Sequence, residues 1–477
     1  MKRIKALTLI LATLVLTSCF EDRDDVPIQT KEINDFVWKA MNFVYLYKDE
    51  IPDLADNRFS NNDEYNEYLN SFTTPENLFE SLIFDPNTTD RFSFIVDDYI
   101  ALEQQFSGVF VTNGMEFTLY AAPNSNTDLI GVVRLVLPNS DADNKGVKRG
   151  NLFAQINGTT LTRDNFSSLF NQDSYTINLG TYNDNGTPET TDDSIENTGT
   201  NISLDKFQYT ENPIFISDVL QVAGQNVGYL MYNGFTSGSE NELNTVFGNF
   251  KSNNIQHLVL DLRYNPGGSV STTTFLASMI TGQFTGEVFE KLIYNENLQE
   301  LNTDFLFANS LPNQTGINSL GLSKIYVLTT SRSASASEGL INGLSPYIDI
   351  VQIGENTTGK TQASRTFYDS PDLSREGANP AHTYAIQPLI ANGINKNSET
   401  VPGTGLTPSI GFEYEERPLN LGSLGDVNEP MLALALADIE NSTSKRFLIK
   451  DIPALITQKE MDSYDFLPFE KGGMIAD

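Results

Sequence analysis

Lys324-Ile325-Tyr326-Val327-Leu328-Thr329-Thr330-Ser331-Arg332-Ser333-Ala334-Ser335-Ala336-Ser337-Glu338-Gly339-Leu340 is the stretch on which the reading of this chain turns. Its apolar opening, 324–330, has the length and the β-branched and aromatic content of a buried strand. A run of Ser and Ala follows, and 338–344 reads as the opening of a helix. A strand that passes through a tight small-residue turn into a helix lifts one side chain onto the helix N-terminus. There, unpaired backbone N–H groups stabilise developing negative charge. The same pattern also fits a polar βα loop in any α/β protein, so its neighbours must decide.

Outward from that stretch the pattern alternates. Strands are expected over 227–232, 255–262, 325–330 and 348–353, with helices over 240–250, 271–280 and 338–344 between them. Such alternation implies parallel βαβ units, whose functional loops lie at the strand C-termini. Three loops fall there: Arg263-Tyr264-Asn265-Pro266-Gly267-Gly268, 331–337 and 355–360. Glycines in the first expose backbone N–H groups at close range, as an oxyanion hole needs. A serine nucleophile also needs a base. The chain has two histidines. His257 begins a strand at the end away from these loops, and His382 lies in a Pro-flanked segment with no local signature. Lysine is the other option, since a neutral amine deprotonates Ser once burial lowers its pKa. Lys360, following Gly359, is the candidate.

These pieces together resemble the carboxyl-terminal processing, or tail-specific, serine proteases. The matching segments are 260–268, 333–338, 354–360 and Gly405-Leu406-Thr407-Pro408-Ser409-Ile410, in order, within a region of roughly 105–415. The resemblance implies a multidomain α+β chain with a ClpP/crotonase-like α/β protease core over 208–415. It implies Ser335 as nucleophile, with Lys360 as base 25 positions on. It also implies an oxyanion hole formed by the Ala336 amide with that of Gly267 or Gly268. Many members carry a Gln four residues after the Lys. Here that position is Ser364, while Gln362 shares its strand face and is the candidate third member. Ser333 and Ser337 are expected to cap or pack. No metal or organic cofactor is implied, so the expectation is none. Protein or peptide substrates with accessible C-termini are expected.

Upstream, 104–207 changes to short β-rich runs. Val132 to Pro138, Gly146-Val147-Lys148-Arg149-Gly150-Asn151-Leu152 and Ile156-Asn157-Gly158 resemble a PDZ domain, with Asn151 where that family has Asp. Such a fold captures peptide C-termini by strand addition, and its carboxylate loop is placed at Gly108 and Val109. The acidic run over 183–199 lacks the spacing of a calcium loop and is read as a solvated hairpin insertion. Residues 30–103 read as a helical N-terminal domain, with helices over 32–47, 61–72 and 75–83, Thr74 as an N-cap before Pro75, and an aromatic stripe expected to form core.

At the start, Lys2, Arg3 and Lys5 precede an apolar 6–16 too short to span a membrane as a mature helix. Leu16-Thr17-Ser18-Cys19 resembles a bacterial lipobox, implying a signal peptide over 1–18 and lipidation of Cys19, the chain's one cysteine. An acidic tether over 19–29 follows; it resembles the export signal of Bacteroidetes-type surface lipoproteins. An outer-membrane lipoprotein of the cell envelope, periplasmic or surface-exposed, is expected. Net charge is −32, which leaves no basic footprint for nucleic acid. Beyond 415, 430–439 reads as a helix and 416–477 as a cap or tail, with no chemistry legible in 451–477. Two other readings compete with the peptidase: a catalytically inactive peptide- or ligand-binding lipoprotein on the same fold, and a Ser/His ester hydrolase working through His382.

Overall fold

The computed structural model describes residues 30–187, 190–441, 459–463 and 474–476. The expected signal peptide, Cys19 and the tether lie outside the described residues.

Helix α1 (Thr30–Val44) buries Ile33, Phe36, Val37, Ala40, Met41 and Val44, a stripe at helical spacing. It packs on α2 (Asn62–Asn70) and α3 (Pro75–Ser81). The Thr74 cap stands where the sequence suggests, and Asn61, expected as the first helical residue, caps α2 instead. Asn61 Oδ1 accepts from the Glu64 amide at 3.0 Å, and Thr74 Oγ1 from the Asn77 amide at 3.2 Å, with Pro75 in the first turn. The aromatic stripe is core: Trp38 meets Tyr65 and Phe59 edge-on. Strand β1 (Phe94–Val96) closes this region, and α4 (Tyr99–Phe106) leads out of it.

The next region is an antiparallel sheet. Its elements are β2 (Val109–Thr112), β3 (Met115–Ala121), β4 (Leu129–Val136), α5 (Asp141–Asn144), β5 (Leu152–Ile156), β6 (Thr159–Thr160), α6 (Phe166–Phe170), β7 (Ser174–Asn183) and β8 (Ser194–Asp205). The order runs β3-β4-β5-β7-β8, with β6 on β5, around a core that includes Phe117, Val133, Phe153 and Phe170. The turn before β5 is closed by Asn151, whose Oδ1 accepts from the Lys148 amide at 2.7 Å. An Asp there would accept that same bond. Strands β7 and β8 form a hairpin in which Asp184 and Asp192 are exposed, while Asp193 is buried and accepts from the Tyr182 hydroxyl. Strand β9 (Phe207–Thr210) returns to pair with β2.

The centre of the molecule is a five-stranded sheet. Strand β10 (Ile214–Val222) is its antiparallel edge. Then come β11 (Gln225–Tyr232), α7 (Glu240–Ser252), β12 (His257–Asp261), α8 (Val270–Ile280), β13 (Val288–Tyr294), β14 (Thr303–Leu306), β15 (Lys324–Thr329), α9 (Ala336–Leu344) and β16 (Asp349–Gly354). Strands β11, β12, β15 and β16 are parallel, with Leu260 beside Val327 and Val327 beside Gln352. Successive residues face opposite sides. Leu230, Leu260 and Val327 meet α7, α8 and α9, whereas Tyr229, Val259 and Tyr326 meet α10 (Pro430–Ile439), the expected C-terminal cap.

After β16, strands β17 (Gln362–Ser364), β18 (Phe367–Tyr368), β19 (Ala385–Gln387) and β20 (Leu389–Asn395) follow. Strands β18 and β19 reach back to complete a sheet with β1, so a stretch expected inside the core region finishes the N-terminal layer. The chain end supplies β21 (Lys459–Asp462) beside β3 and β22 (Met474–Ile475) beside β17.

Candidate active site

Ser335 sits between β15 and α9 at the helix N-cap, with φ 59° and ψ −112°. A positive φ is costly for a residue with a Cβ and persists only where its surroundings hold it. Here they do. Ser333 Oγ donates to Leu262 O at 2.8 Å, the Ala334 amide to Asn265 O at 3.1 Å, and Ser337 Oγ to the same oxygen at 3.1 Å. The two flanking serines therefore fasten the loop, as expected. Ser335 is fully buried, and its Oγ has no hydrogen-bond partner among the described residues.

Glycine is required opposite it. A Cβ on Gly267, at φ 110°, would lie 2.8 Å from Ser335 Cβ and 2.9 Å from the Ala336 nitrogen. A Cβ on Gly268, at φ 136°, would lie 2.3 Å from Phe235 O. The loop is shaped by Asn265, whose Nδ2 donates to Tyr232 O at 2.7 Å while its Oδ1 accepts from the Gly267 amide at 2.9 Å. That bond occupies the Gly267 amide.

Glu338 joins the serine to the lysine. Its Oε2 accepts from the Ser335 and Lys360 amides, each at 2.8 Å. Its Oε1 accepts from the Gly359 amide at 2.7 Å and from the Thr357 hydroxyl. Burial pushes this carboxyl above its ordinary range, and the four donors pull it back. The Lys360 side chain is buried, with Nζ 5.0 Å from the Phe92 ring centroid. Arg91 alongside donates from Nη2 to Thr358 O at 3.0 Å, Gly359 O at 3.2 Å and Gly403 O at 3.3 Å. Gln362 Nε2 donates to the Tyr47 hydroxyl at 3.0 Å, and its Oε1 is buried without a hydrogen-bond partner. Ser364, in the position expected for Gln, accepts from Gln387 at 3.1 Å.

The structure thus brings Ser335, Ala336 and Gly267 together directly, with Gly268 next in the loop against Phe235, and Lys360 through Glu338. His382 stands apart. Its Nε2 meets Asp369 Oδ2 at 3.0 Å and its Nδ1 accepts from the Tyr384 amide at 3.0 Å, so both ring nitrogens are engaged away from Ser335. His257 meets Gln225 at the far end of β12. Sequence reasoning passed over Asn265, Glu338, Tyr47, Arg91 and Phe92. Glu338 had a legible signal, since Ser followed three residues later by Glu is the capping-box spacing. Arg91 and Phe92 had none, because they act on a loop far along the chain.

Beneath the glycine loop lies a buried charge cluster. Arg263 Nη2 meets Asp261 at 2.6 Å and its Nη1 meets Glu429, the N-cap of α10, at 2.7 Å. Arg149 and Arg263 hold the buried Glu416 down to about 2 against the upward push of burial. A cavity of about 610 Å³ runs from this loop into the antiparallel sheet, lined by Gly108, Val109 and Phe117 at one end and Pro266 to Ser269 at the other. Within it Glu211 is pushed up to about 7, first by burial and then by Glu116.

Comparison with known proteins follows the same geography. The model of peptidase family S41 matches 226–410, and that of the peptidase S41 N-terminal domain matches 32–94. A CtpA-like serine protease of Staphylococcus epidermidis is 30% identical over 146 residues, 30% of this chain and 28% of that protein. A carboxyl-terminal-processing protease of Picosynechococcus sp. is 26% identical over 186 residues, 39% of this chain and 40% of that protein. The chain therefore spans less than half the length of these curated relatives. The crystal structure of an S41 protease from Bacteroides fragilis superposes with a TM-score of 0.68 at 25% identity, covering 86% of this chain and 98% of that one.

Proposed function

We propose that this chain, which carries both domains of peptidase family S41, is a serine endopeptidase of the C-terminal processing type. The observation that carries the reading is Glu338, one buried carboxylate that ties the Ser335 backbone to the Lys360 backbone beside the glycine loop. A general base must offer a free lone pair, and the Lys360 amine is the buried candidate on that loop. Lys360 Nζ takes the Ser335 hydroxyl proton as Oγ attacks the scissile carbonyl carbon. The amides of Ala336 and Gly268 receive the oxyanion. The C–N bond then breaks, the leaving amine takes the proton from Lys360, and an acyl-enzyme remains on Ser335. Lys360 then takes a proton from water, the resulting hydroxide attacks the acyl carbon, and the ester C–O bond breaks as Lys360 returns that proton to Ser335 Oγ. Gln362, whose Nε2 is held by Tyr47 and whose carbonyl oxygen is buried without a partner, is the candidate third member, its oxygen accepting from Lys360 Nζ when substrate is bound.

The core is read as ClpP/crotonase-like and the antiparallel sheet as PDZ-like, presenting substrate C-termini through the cavity that begins at Gly108 and Val109. Lipidation at Cys19 would hold the body on the outer membrane. The test uses the soluble form beginning after Cys19, with casein as an unfolded substrate. The parent should cleave it, and Ser335→Ala and Lys360→Ala should be slower by roughly 10³-fold or more, with unchanged circular dichroism. A Lys360→Ala protein as fast as the parent would exclude the dyad.

A further inference from the structure

The end of the chain lies along the route a substrate would take. Strand β21 adds to the free edge of β3 antiparallel, with Lys459 opposite Tyr120, Met461 opposite Leu119 and Asp462 opposite Thr118. The Phe117 amide continues the ladder onto Ser463 Oγ at 3.0 Å. Strand addition of this kind takes affinity from main-chain bonds and specificity from side-chain contacts. Those contacts are acidic on the tail and basic on the body, in a chain with 62 acidic residues against 30 basic ones. Arg163 grips Glu460 with two bonds, at 2.7 and 3.1 Å. Arg134 of β4 pairs with Asp462 Oδ2, and Arg332, three residues before Ser335, lies 3.5 Å from Asp462 Oδ1. One buried aspartate thereby links the antiparallel sheet to the nucleophile loop.

The tail reappears at the catalytic loops. Strand β22 runs parallel to β17, the strand of Gln362. The Ile475 amide donates to Gly268 O at 2.9 Å and the Ala476 amide to Ser364 O at 3.1 Å. Ile475 and Ser463 both line the cavity that reaches Pro266 to Ser269. The two segments thus occupy the sheet edge at one end and the proposed oxyanion loop at the other.

We propose that β3, with Arg134, Arg163 and Arg332, is a recognition track for an extended peptide bearing acidic residues at i and i+2, and that segments 459–463 and 474–476 of this chain are its resident occupant. The inference rests on the peptidase reading for its consequence, that the occupied cleft is a resting state. An occupant on the same chain competes intramolecularly, at an effective concentration set by its tether rather than by the protein concentration. Weak substrates are therefore shut out, and an acidic C-terminal segment displaces it.

The experiment uses the full chain in a Cys19→Ser background. Tyr120→Cys with Lys459→Cys places a thiol pair across the β3–β21 ladder, so oxidation locks the tail and reduction frees it. Asp462→Arg undocks the tail by facing Arg134 and Arg332 with like charge. The probe is a fluorescein-labelled peptide of residues 459–476, followed by polarisation, with casein cleavage in parallel. The oxidised protein should neither bind the peptide nor cleave casein, and reduction should restore both. Asp462→Arg should bind the peptide and cleave at least ~10-fold faster than the parent, since breaking a buried ion pair costs more than a tenfold change requires. A peptide with Lys at 460 and 462 should bind at least ~10-fold more weakly. Equal binding and equal cleavage by the oxidised and reduced forms would overturn the inference, and that comparison stands even if Asp462→Arg fails to fold. Should no form cleave casein, the peptidase reading fails, while peptide binding by the reduced and not the oxidised protein still establishes the track.

Discussion

Glu338 accepts from three backbone amides and one hydroxyl, and every one of those donors belongs to the serine or the lysine loop. Glutamine has the same shape but one acceptor oxygen. Its NH₂ must face an amide donor, leaving buried N–H groups unpaired at about 1–3 kcal/mol each. Glu338→Gln is therefore expected to lower kcat on a fluorogenic peptide by ~10²-fold with KM little changed, since misplacement of a catalytic group by about 1 Å costs that much. Its melting midpoint should fall by several degrees. Unaltered kcat in the variant would show that the two loops hold their places without it. At this scale much of the candidate site was legible. Ser335, Lys360 and the glycines stand in short ordered motifs, because close backbone approach admits few residue types. What was illegible was occupancy: only geometry reveals that Asn265 takes the Gly267 amide, or that Gln362 reaches Tyr47.

Strand β13 carries an unusual passenger, Glu290, which is buried with Oε2 unpartnered and is pushed up to about 8 by burial alone. Since the folded value lies above the ordinary 4.5, its stabilising contribution is fully present below that ordinary value. It is lost as pH rises through about 8. Glu290→Gln should match the parent near pH 4 and exceed it by on the order of 2–4 kcal/mol near pH 9, read as the shift in urea midpoint at the two pH values. Parallel midpoints for the two proteins would contradict this. Elements with strong periodicity were read well: the alternation around β11, β12, β15 and β16, the cap at Thr74, and the hairpin of β7 and β8. Strands β18, β19, β21 and β22 were not, because each is four residues or fewer and is defined by a distant partner rather than by its own pattern.

Across the whole molecule, four separate regions of the chain meet at one lysine. Arg91 and Phe92 of the N-terminal region brace and wall its loop, β17 carries it onward, α9 holds it through Glu338, and the chain terminus lies alongside. The loop before β1 thus packs on the lysine loop, in step with the S41 N-terminal domain model matching 32–94 ahead of the S41 peptidase model at 226–410. Neither composition nor local pattern disclosed that convergence, since it arises from pairings between segments hundreds of residues apart. The central claim is that these regions make Ser335 a nucleophile through Lys360. The direct measurement is intact-mass and peptide-level mass spectrometry after treatment with a fluorophosphonate. One adduct is expected, on Ser335, absent in Ser335→Ala and reduced to background in folded Lys360→Ala. An adduct on any other serine, or full labelling of Lys360→Ala, would contradict it.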